Sequence, residues 1–316
     1  MPAKRSSHTF VYLNPQDDSD RLFVQRIREL HGTVGQEWLD RLPDLLTECE
    51  RRWSLTLESP FTPLSYNYVA PARGEDGRYF VVKVGVPRRE LFMEIEALRA
   101  FNGNGAIQLI DSDSSLGILL LERAEPGTLL SQLKDDEEAV SIAASVIREL
   151  SQAKPYNLPL PTLDQWFDSL RRLRQTFGGT TGPLPRELVE RAEKLVSELY
   201  DPTHGVLLHA DLHSDNIVAA QRRPWLAIDP HGVLGDPAYE VAAWLHTIPP
   251  RSLSDRPAGE IFRRRMDQFA DELQLDRQRI QAWGLANAVL SACWSIEDHG
   301  YGWEEAIFCA QTLYTV

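Results

Sequence analysis

The stretch that decides the reading is Leu207-Leu-His-Ala-Asp-Leu-His-Ser-Asp-Asn-Ile-Val218, followed shortly by Trp225-Leu-Ala-Ile-Asp-Pro-His-Gly232. An apolar strand delivers His209 and Asp211 to its end, and Asn216 follows in the same loop. A short strand over Ile217-Val-Ala219, a turn through Arg222-Arg-Pro224 and a strand from Trp225 to Ile228 then lead to Asp229. Such a hairpin brings Asp211, Asn216 and Asp229 to one edge. Phosphoryl transfer needs this set: a carboxylate that orients and deprotonates a hydroxyl, and oxygen ligands that hold Mg²⁺ on phosphates. A His-x-Asp-x-x-x-x-Asn pattern alone arises by chance in about one such chain in a hundred. Asp229, on an apolar strand after a turn and before a glycine, makes coincidence a poor account. His213 and His231 could join His209 around zinc, but the carboxylates and amide beside them suit a harder cation. Asp215 reads as a solvated turn residue.

Working outward, Tyr79-Phe-Val-Val-Lys-Val84 places Lys83 as a lone cation within an apolar strand. One reading is an edge lysine that blunts aggregation. The other is a phosphate clamp held by a carboxylate from the helix that begins near Pro87. Glu90, Glu94 and Glu96 are all in range. Glu94 shares a helical face with Leu91, Leu98 and Phe101, which aims it at the sheet.

The rest of the chain supplies a frame for these residues. Its 316 residues suggest two lobes, since one core rarely grows beyond ~250. Hydrophobic residues at 43% and charged residues at 25% are the balance of a globular protein, not a disordered one. A net charge of −13 argues against a nucleic-acid partner, because phosphate neutralisation needs Lys and Arg. No apolar run approaches the ~20 residues of a membrane span, and no signal peptide is visible. Cys49, Cys293 and Cys309 are widely spaced and odd in number, which fits a reducing cytoplasm. Residues 1–20 read as a loose extension, followed by two helical patterns split near Gly32 and Gly35. Strands are expected over 65–69 and 79–84, joined through Arg73-Gly-Glu-Asp-Gly77, and over 106–110 and 117–121, with Asp111–Ser115 as the turn. Beyond Glu122-Arg-Ala-Glu-Pro-Gly127 the pattern is mostly helical, with helices over 135–153, 163–177 and 185–200 and again from Ala238.

The order Lys83 in a strand, Glu94 in the next helix, a hinge, the His209 to Asn216 loop and then Asp229 resembles the aminoglycoside phosphotransferases. These are antibiotic kinases with a protein-kinase-like fold. Within them, Trp225-Leu-Ala-Ile-Asp-Pro-His-Gly-Val-Leu-Gly-Asp-Pro-Ala-Tyr-Glu240 is similar to the streptomycin 6-phosphotransferase and hydroxyurea-resistance kinase branch. Further likeness lies in Tyr68-Val-Ala-Pro-Ala72, Glu94-Ile-Glu-Ala-Leu-Arg99, Asn104-Gly-Ala106, Leu119-Leu-Leu-Glu-Arg123 and Glu125-Pro-Gly127. It runs in order from about Gly32 to near the end.

The resemblance implies an α+β, bilobal, protein-kinase-like fold with ATP in the cleft. A small antiparallel-sheet N-lobe would span 21–122 and a mainly helical C-lobe 123–316. Asp211 would be the catalytic carboxylate, with His209 beside it, and Asn216 and Asp229 would hold Mg²⁺. Lys83, paired with Glu94, would hold the α- and β-phosphates. Glu122 to Ala124 would contact adenine through the backbone, and the segment containing Ser65 and Asn67 would cover the phosphates. Three departures stand out. Leu64-Ser-Tyr-Asn-Tyr-Val69 lacks a glycine-rich cradle, His231 stands where branch members often carry lysine, and Glu240 where many have Asp.

The expected function is transfer of the ATP γ-phosphoryl group to a hydroxyl of a small molecule, an aminoglycoside such as streptomycin. A metabolic kinase of the choline, fructosamine or sugar type is the alternative, and a non-catalytic pseudokinase a weaker one. For a cationic, hydroxylated acceptor the candidate carboxylates are Asp236, Glu297 and Asp298. Asp236, before Pro237, also reads as a helix cap, and the acids of the final helices also read as a solvated rim. Acceptor identity, the choice of ATP over GTP and oligomeric state carry no sequence signal.

Overall fold

A glycine breaks the first helical stretch in two. In the computed structural model, α1 (Asp18–Trp53) leaves helical geometry at Gly32, with φ 56° and ψ −131°. Beyond that bend, a Cβ at Gly35 would lie 2.5 Å from the Ile27 carbonyl oxygen, so glycine permits the close return of the second half. Residues 13, 17–154, 158–202, 205–246 and 257–316 are described. Most of the extension read over 1–20 lies outside them. Its described end is not loose: Asp17 accepts from the Ser19 backbone N–H at 2.8 Å and caps a helix that already includes residues 18–20.

Two compact units divide the chain: Met1–Ile95 with Leu109–Arg123, and Glu96–Gln108 with Ala124–Val316. The first contains an antiparallel sheet of β1 (Leu55–Leu57), β2 (Tyr68–Gly74), β3 (Tyr79–Val84), β4 (Leu109–Asp113) and β5 (Ile118–Glu122), ordered β1-β2-β3-β5-β4. Tyr68, Ala70, Ala72, Val82, Val84 and Leu120 from the sheet share one core with Phe23, Ile27, Trp38, Leu42 and Leu46 from α1. Burying that surface at roughly 25 cal/mol per Å² is what ties α1 to the sheet. Helix α2 (Arg89–Phe101) follows β3.

Two strand expectations shift, and one strand is additional. The expected strand over 65–69 is found at Tyr68–Gly74, which leaves Ser65 and Asn67 in the preceding loop. β1 is an additional edge strand. The expected strand over 106–110 is instead Leu109–Asp113, running through residues read as a turn. Ala106 forms a parallel bridge with Ala227, and Ile107 N–H donates to the Ala227 carbonyl at 2.9 Å. The polar residues of β4 tolerate the edge because their side chains are paired: Asp113 accepts from Arg52 at 2.8 Å and Asp111 from Trp53 Nε1 at 2.7 Å.

The second unit holds α3 (Asp136–Leu150), α4 (Leu163–Trp166), α5 (Asp168–Thr176) and α6 (Arg186–Leu199) before the strands that carry the chemistry. The helix expected over 163–177 is broken at Phe167, with φ −83° and ψ 10°. Strands β6 (Val206–Leu208) and β9 (Val233–Gly235) pair antiparallel, as do β7 (Ile217–Ala219) and β8 (Trp225–Ala227). A short 3₁₀ helix, Pro237–Val241, leads into α7 (Ala242–His246), and α8 (Ala258–Leu273), α9 (Arg277–Asp298) and α10 (Glu304–Thr315) close the chain. Among the described residues no helix is long and apolar enough to cross a membrane.

Candidate active site

In the first unit, β3 turns Lys83 into the protein interior, where it is only 3% exposed. Its Nζ donates to Glu94 Oε1 at 2.7 Å. Glu94 is buried on the α2 face that also buries Leu91, Leu98 and Phe101. Each ion needs the other, because an unpaired buried charge would cost several kcal/mol. Ser65 is exposed and Asn67 half-buried. A Cβ on Gly85 would fall 2.2 Å from Asn67 Oδ1, so the absent side chain at Gly85 gives Asn67 its seat beyond the end of β3. Glu122 closes β5 opposite Phe80, and Ala124 follows in the connection, both half-buried.

In the second unit, backbone hydrogen bonds stitch the predicted chemistry together. Ile228 N–H donates to the Asn216 carbonyl at 2.9 Å, which sets Asp229 beside Asn216 at the ends of β7 and β8. His231 N–H donates to the His209 carbonyl at 2.9 Å, which binds the strand after Asp229 to the strand before Asp211. Asn216 Nδ2 donates to the Asp211 carbonyl at 2.9 Å and reaches its Oδ2 at 3.3 Å. With its nitrogen so used, the amide presents its oxygen as the hard donor. Asp229 is exposed and holds a left-handed backbone, φ 58°, a strained conformation that aspartate tolerates better than most residues. Asp215 is exposed.

Asp211 lies among three imidazoles. His231 Nε2 is 3.6 Å and His213 Nε2 3.7 Å from its Oδ2, and its side chain is 36% exposed. Burial pushes the carboxyl up, but His231, His213 and His209 together overcome it and hold the group at about 2. The imidazoles thus favour the ionised form of Asp211. Among the described residues no group of three or more His, Cys, Asp or Glu is gathered to hold a metal. Two of the three imidazoles, His213 and His231, face the Asp211 carboxylate.

His209 needs a correction. The sequence placed it with Asp211 as catalytic, yet it is 0% exposed. Its Nε2 bonds the Ile228 carbonyl at 2.7 Å, and its Nδ1 accepts from Asp211 N–H at 3.3 Å. It is a positioning residue that locks the loop to β8. Burial drives its imidazole down to about 4 from 6.5, so it is neutral in the fold. Stability from a depressed group is present above the unfolded value and is lost as pH falls toward the folded one. His209→Gln should therefore lose more melting temperature relative to the parent at pH 7.5 than at pH 5. A deficit that grows toward acid would refute the buried neutral imidazole.

The missed residue is Glu240. It is 4% exposed; its Oε2 accepts His209 N–H at 2.7 Å and its Oε1 accepts Ala210 N–H at 3.0 Å. Ala210 itself has φ 68°. A buried carboxylate thus holds a strained turn immediately before Asp211. The available sequence signal was a lone acid at the head of the apolar run Val241-Ala-Ala-Trp-Leu245.

Two of the three carboxylates nominated for the acceptor are engaged elsewhere. Asp236 caps the 3₁₀ helix through Ala238 N–H at 2.9 Å, and its Oδ2 accepts from Arg279 at 2.5 Å and from Trp283 Nε1 at 2.8 Å. That makes it the structural cap, a correction to its nomination for substrate. Glu297, itself exposed, accepts from Arg172 at 2.8 Å and from Ser169 Oγ at 2.9 Å. Asp298 is exposed at the end of α9.

A small antiparallel sheet with a buried lysine–glutamate pair, and a helical unit with Asp211, Asn216 and Asp229 on stitched hairpins, define a protein-kinase-like phosphotransferase. Residues 52–299 match the aminoglycoside/hydroxyurea antibiotic resistance kinases, and the chain belongs to that family. It is 31% identical over 278 residues to the streptomycin 6-kinase of Streptomyces griseus, covering 84% of this chain and 87% of that protein. It is also 31% identical over 280 residues to the hydroxyurea phosphotransferase of Kitasatospora aureofaciens, covering 84% and 77% respectively. The fold resembles that of the aminoglycoside phosphotransferase APH(4)-Ia, solved as a thermostable mutant with ADP and hygromycin B. That likeness has a TM-score of 0.58 at 17% identity, covering 85% of this chain and 96% of that one. The chain is accordingly a kinase that uses ATP and phosphorylates an alcohol group.

Proposed function

We propose that the protein phosphorylates a hydroxyl of an aminoglycoside of the streptomycin type, in a Mg²⁺-dependent reaction. The observation that carries this reading is the likeness to a streptomycin 6-kinase along most of both chains, joined to an intact Asp211, Asn216 and Asp229 set. Lys83, oriented by Glu94, would bind the α- and β-phosphates of ATP. The loop with Ser65 and Asn67 would cover those phosphates, and the backbone from Glu122 to Ala124 would meet adenine. The lobes would run over 21–122 and 123–316.

The donor set fits Mg²⁺. An amide oxygen from Asn216 and a carboxylate from Asp229 are hard ligands, and two of them leave the remaining positions to phosphate and water, as this ion prefers. The ion would neutralise charge on the transferring group. Asp211, ionised and backed by two imidazoles, would accept a hydrogen bond from the acceptor hydroxyl and aim it in line. Its low basicity suits orientation first and proton acceptance late in the transfer. Three buried free thiols fit a reducing compartment, the cytoplasm.

ADP release by the purified enzyme with streptomycin, other aminoglycosides, amino sugars, choline and hydroxyurea tests the reading. Turnover with streptomycin is the expected result; turnover with hydroxyurea or choline alone would replace it. The metal assignment has its own test. Asp229→Ala should abolish activity and weaken Mg·ATP binding, whereas Asp215→Ala should do little. Equal effects of the two substitutions in calorimetric titrations with Mg·ATP would refute the assignment.

A further inference from the structure

A run of rings starts at Asp211. His231 Nε2 is 3.6 Å from the Asp211 carboxylate. The His231 ring centre is 5.2 Å from that of Trp166, tilted by 55°, and Trp166 is 5.2 Å from Trp294, edge-on at 74°. All three rings are half-buried, so they keep surface open to solvent. Trp166 is held in place. Trp166 Nε1 donates to the Tyr239 hydroxyl at 3.0 Å, which donates to Asn287 Oδ1 at 2.6 Å.

Trp294 and Asp298 stand four residues apart on α9, which places them on one helical face about 6 Å apart along the axis. The line therefore begins and ends on a carboxylate, with indole and imidazole rings between. Asp236 and Glu297 are each held by an arginine, and Asp298 is exposed beyond them at the end of the helix. Indole faces stack against the C–H faces of sugar rings and against guanidinium planes, and they attract cations through their quadrupole. A chain of net charge −13 favours the same ligand class.

We propose that His231, Trp166 and Trp294 form the acceptor-binding wall. It would seat the ring of a hydroxylated, cationic sugar-like molecule with its reacting hydroxyl at Asp211 and its cationic group toward Asp298. This rests on the small-molecule kinase reading of the site. His231 belongs to the wall because a flat ring continues the surface that Trp166 begins.

The test measures steady-state kinetics with streptomycin for Trp294→Leu, Trp294→Phe and Asp298→Asn. Trp294→Leu removes the ring but keeps apolar bulk, and should raise the streptomycin KM roughly tenfold. Trp294→Phe should restore most of that loss, and Asp298→Asn should raise the KM severalfold. The KM for ATP and the melting temperature should stay near the parent's, which a merely structural role for Trp294 would not allow. A native streptomycin KM in Trp294→Leu overturns the wall while leaving the kinase reading intact. If the parent does not turn over streptomycin, calorimetric titration with streptomycin and with glucosamine, in the presence of a non-hydrolysable ATP analogue, decides instead. Binding lost in Trp294→Leu sustains the wall and removes only the streptomycin assignment. No binding by the parent, or binding indifferent to Trp294→Leu, overturns the wall.

Discussion

Asp211→Ala is expected to lower kcat by about two to four orders of magnitude, the usual worth of a positioned carboxylate in proton transfer and hydroxyl alignment. Mg·ATP affinity should stay within a few-fold, because the acceptor hydroxyl is this carboxylate's partner. The variant should fold. Asn216 keeps its 2.9 Å hydrogen bond to the Asp211 backbone carbonyl, which survives any substitution at that side chain. The loop also keeps its links from His209 to Ile228 and from Asn216 to Ile228. Asp211→Asn should be nearly as slow, since it preserves shape but removes the charge that the imidazoles hold ionised. Single-turnover transfer to streptomycin, with Mg·ATP titration as a control, measures both. Near-native turnover in Asp211→Ala would move the chemistry out of this loop.

The placements that were legible are those whose meaning is local. Lys83 is a cation among valines, and Glu94 is an acid on an apolar stripe. Each breaks its own element's pattern, and the 2.7 Å pair between them explains both breaks. Asp211, Asn216 and Asp229 sit at the ends of short apolar strands, so strand ends alone bring them together. His209 breaks a pattern in the same way, but the sequence could not separate a catalytic imidazole from a buried one. Its partner is a carbonyl at Ile228, and backbone atoms leave no trace in composition.

The illegible parts depend on distant pairings. Arg279 and Trp283 meet Asp236 across more than forty residues, and Arg172 meets Glu297 across 125. Both acids look free in the sequence, and the fold gives each an arginine partner. The run from Ala106 to Ile110 looks like a sheet strand, yet its first residues pair with Ala227, and the strand begins later among aspartates. Periodicity detects an apolar run but not which neighbour will pair with it. The fold class was therefore readable while two strand registers and the partners of two acids were not.

Glu240→Leu should be the most damaging change outside the residues assigned to chemistry. It leaves the His209 and Ala210 N–H groups buried without acceptors, at about 1–3 kcal/mol each. It also frees Ala210 from a left-handed backbone worth roughly 1–3 kcal/mol of strain, so the turn before Asp211 should relax. The loss of two buried bonds should lower the melting temperature by several degrees, at about 2–4 °C per kcal/mol for a chain near this size. Activity should fall further than stability, because the carboxylate of Asp211 would no longer be aimed. Glu240→Gln keeps one acceptor oxygen and should fall between. The acidity of Glu240 gives a second, independent reading. Burial raises its carboxyl from 4.5 to about 7, against the pull of the two N–H donors. A raised group contributes stability that is full below the unfolded value and is lost as pH climbs through the folded one. The melting-temperature deficit of Glu240→Gln relative to the parent should accordingly be larger at pH 5 than at pH 8. A deficit larger at pH 8 would mean that the two N–H donors outweigh burial and that Glu240 stays charged throughout.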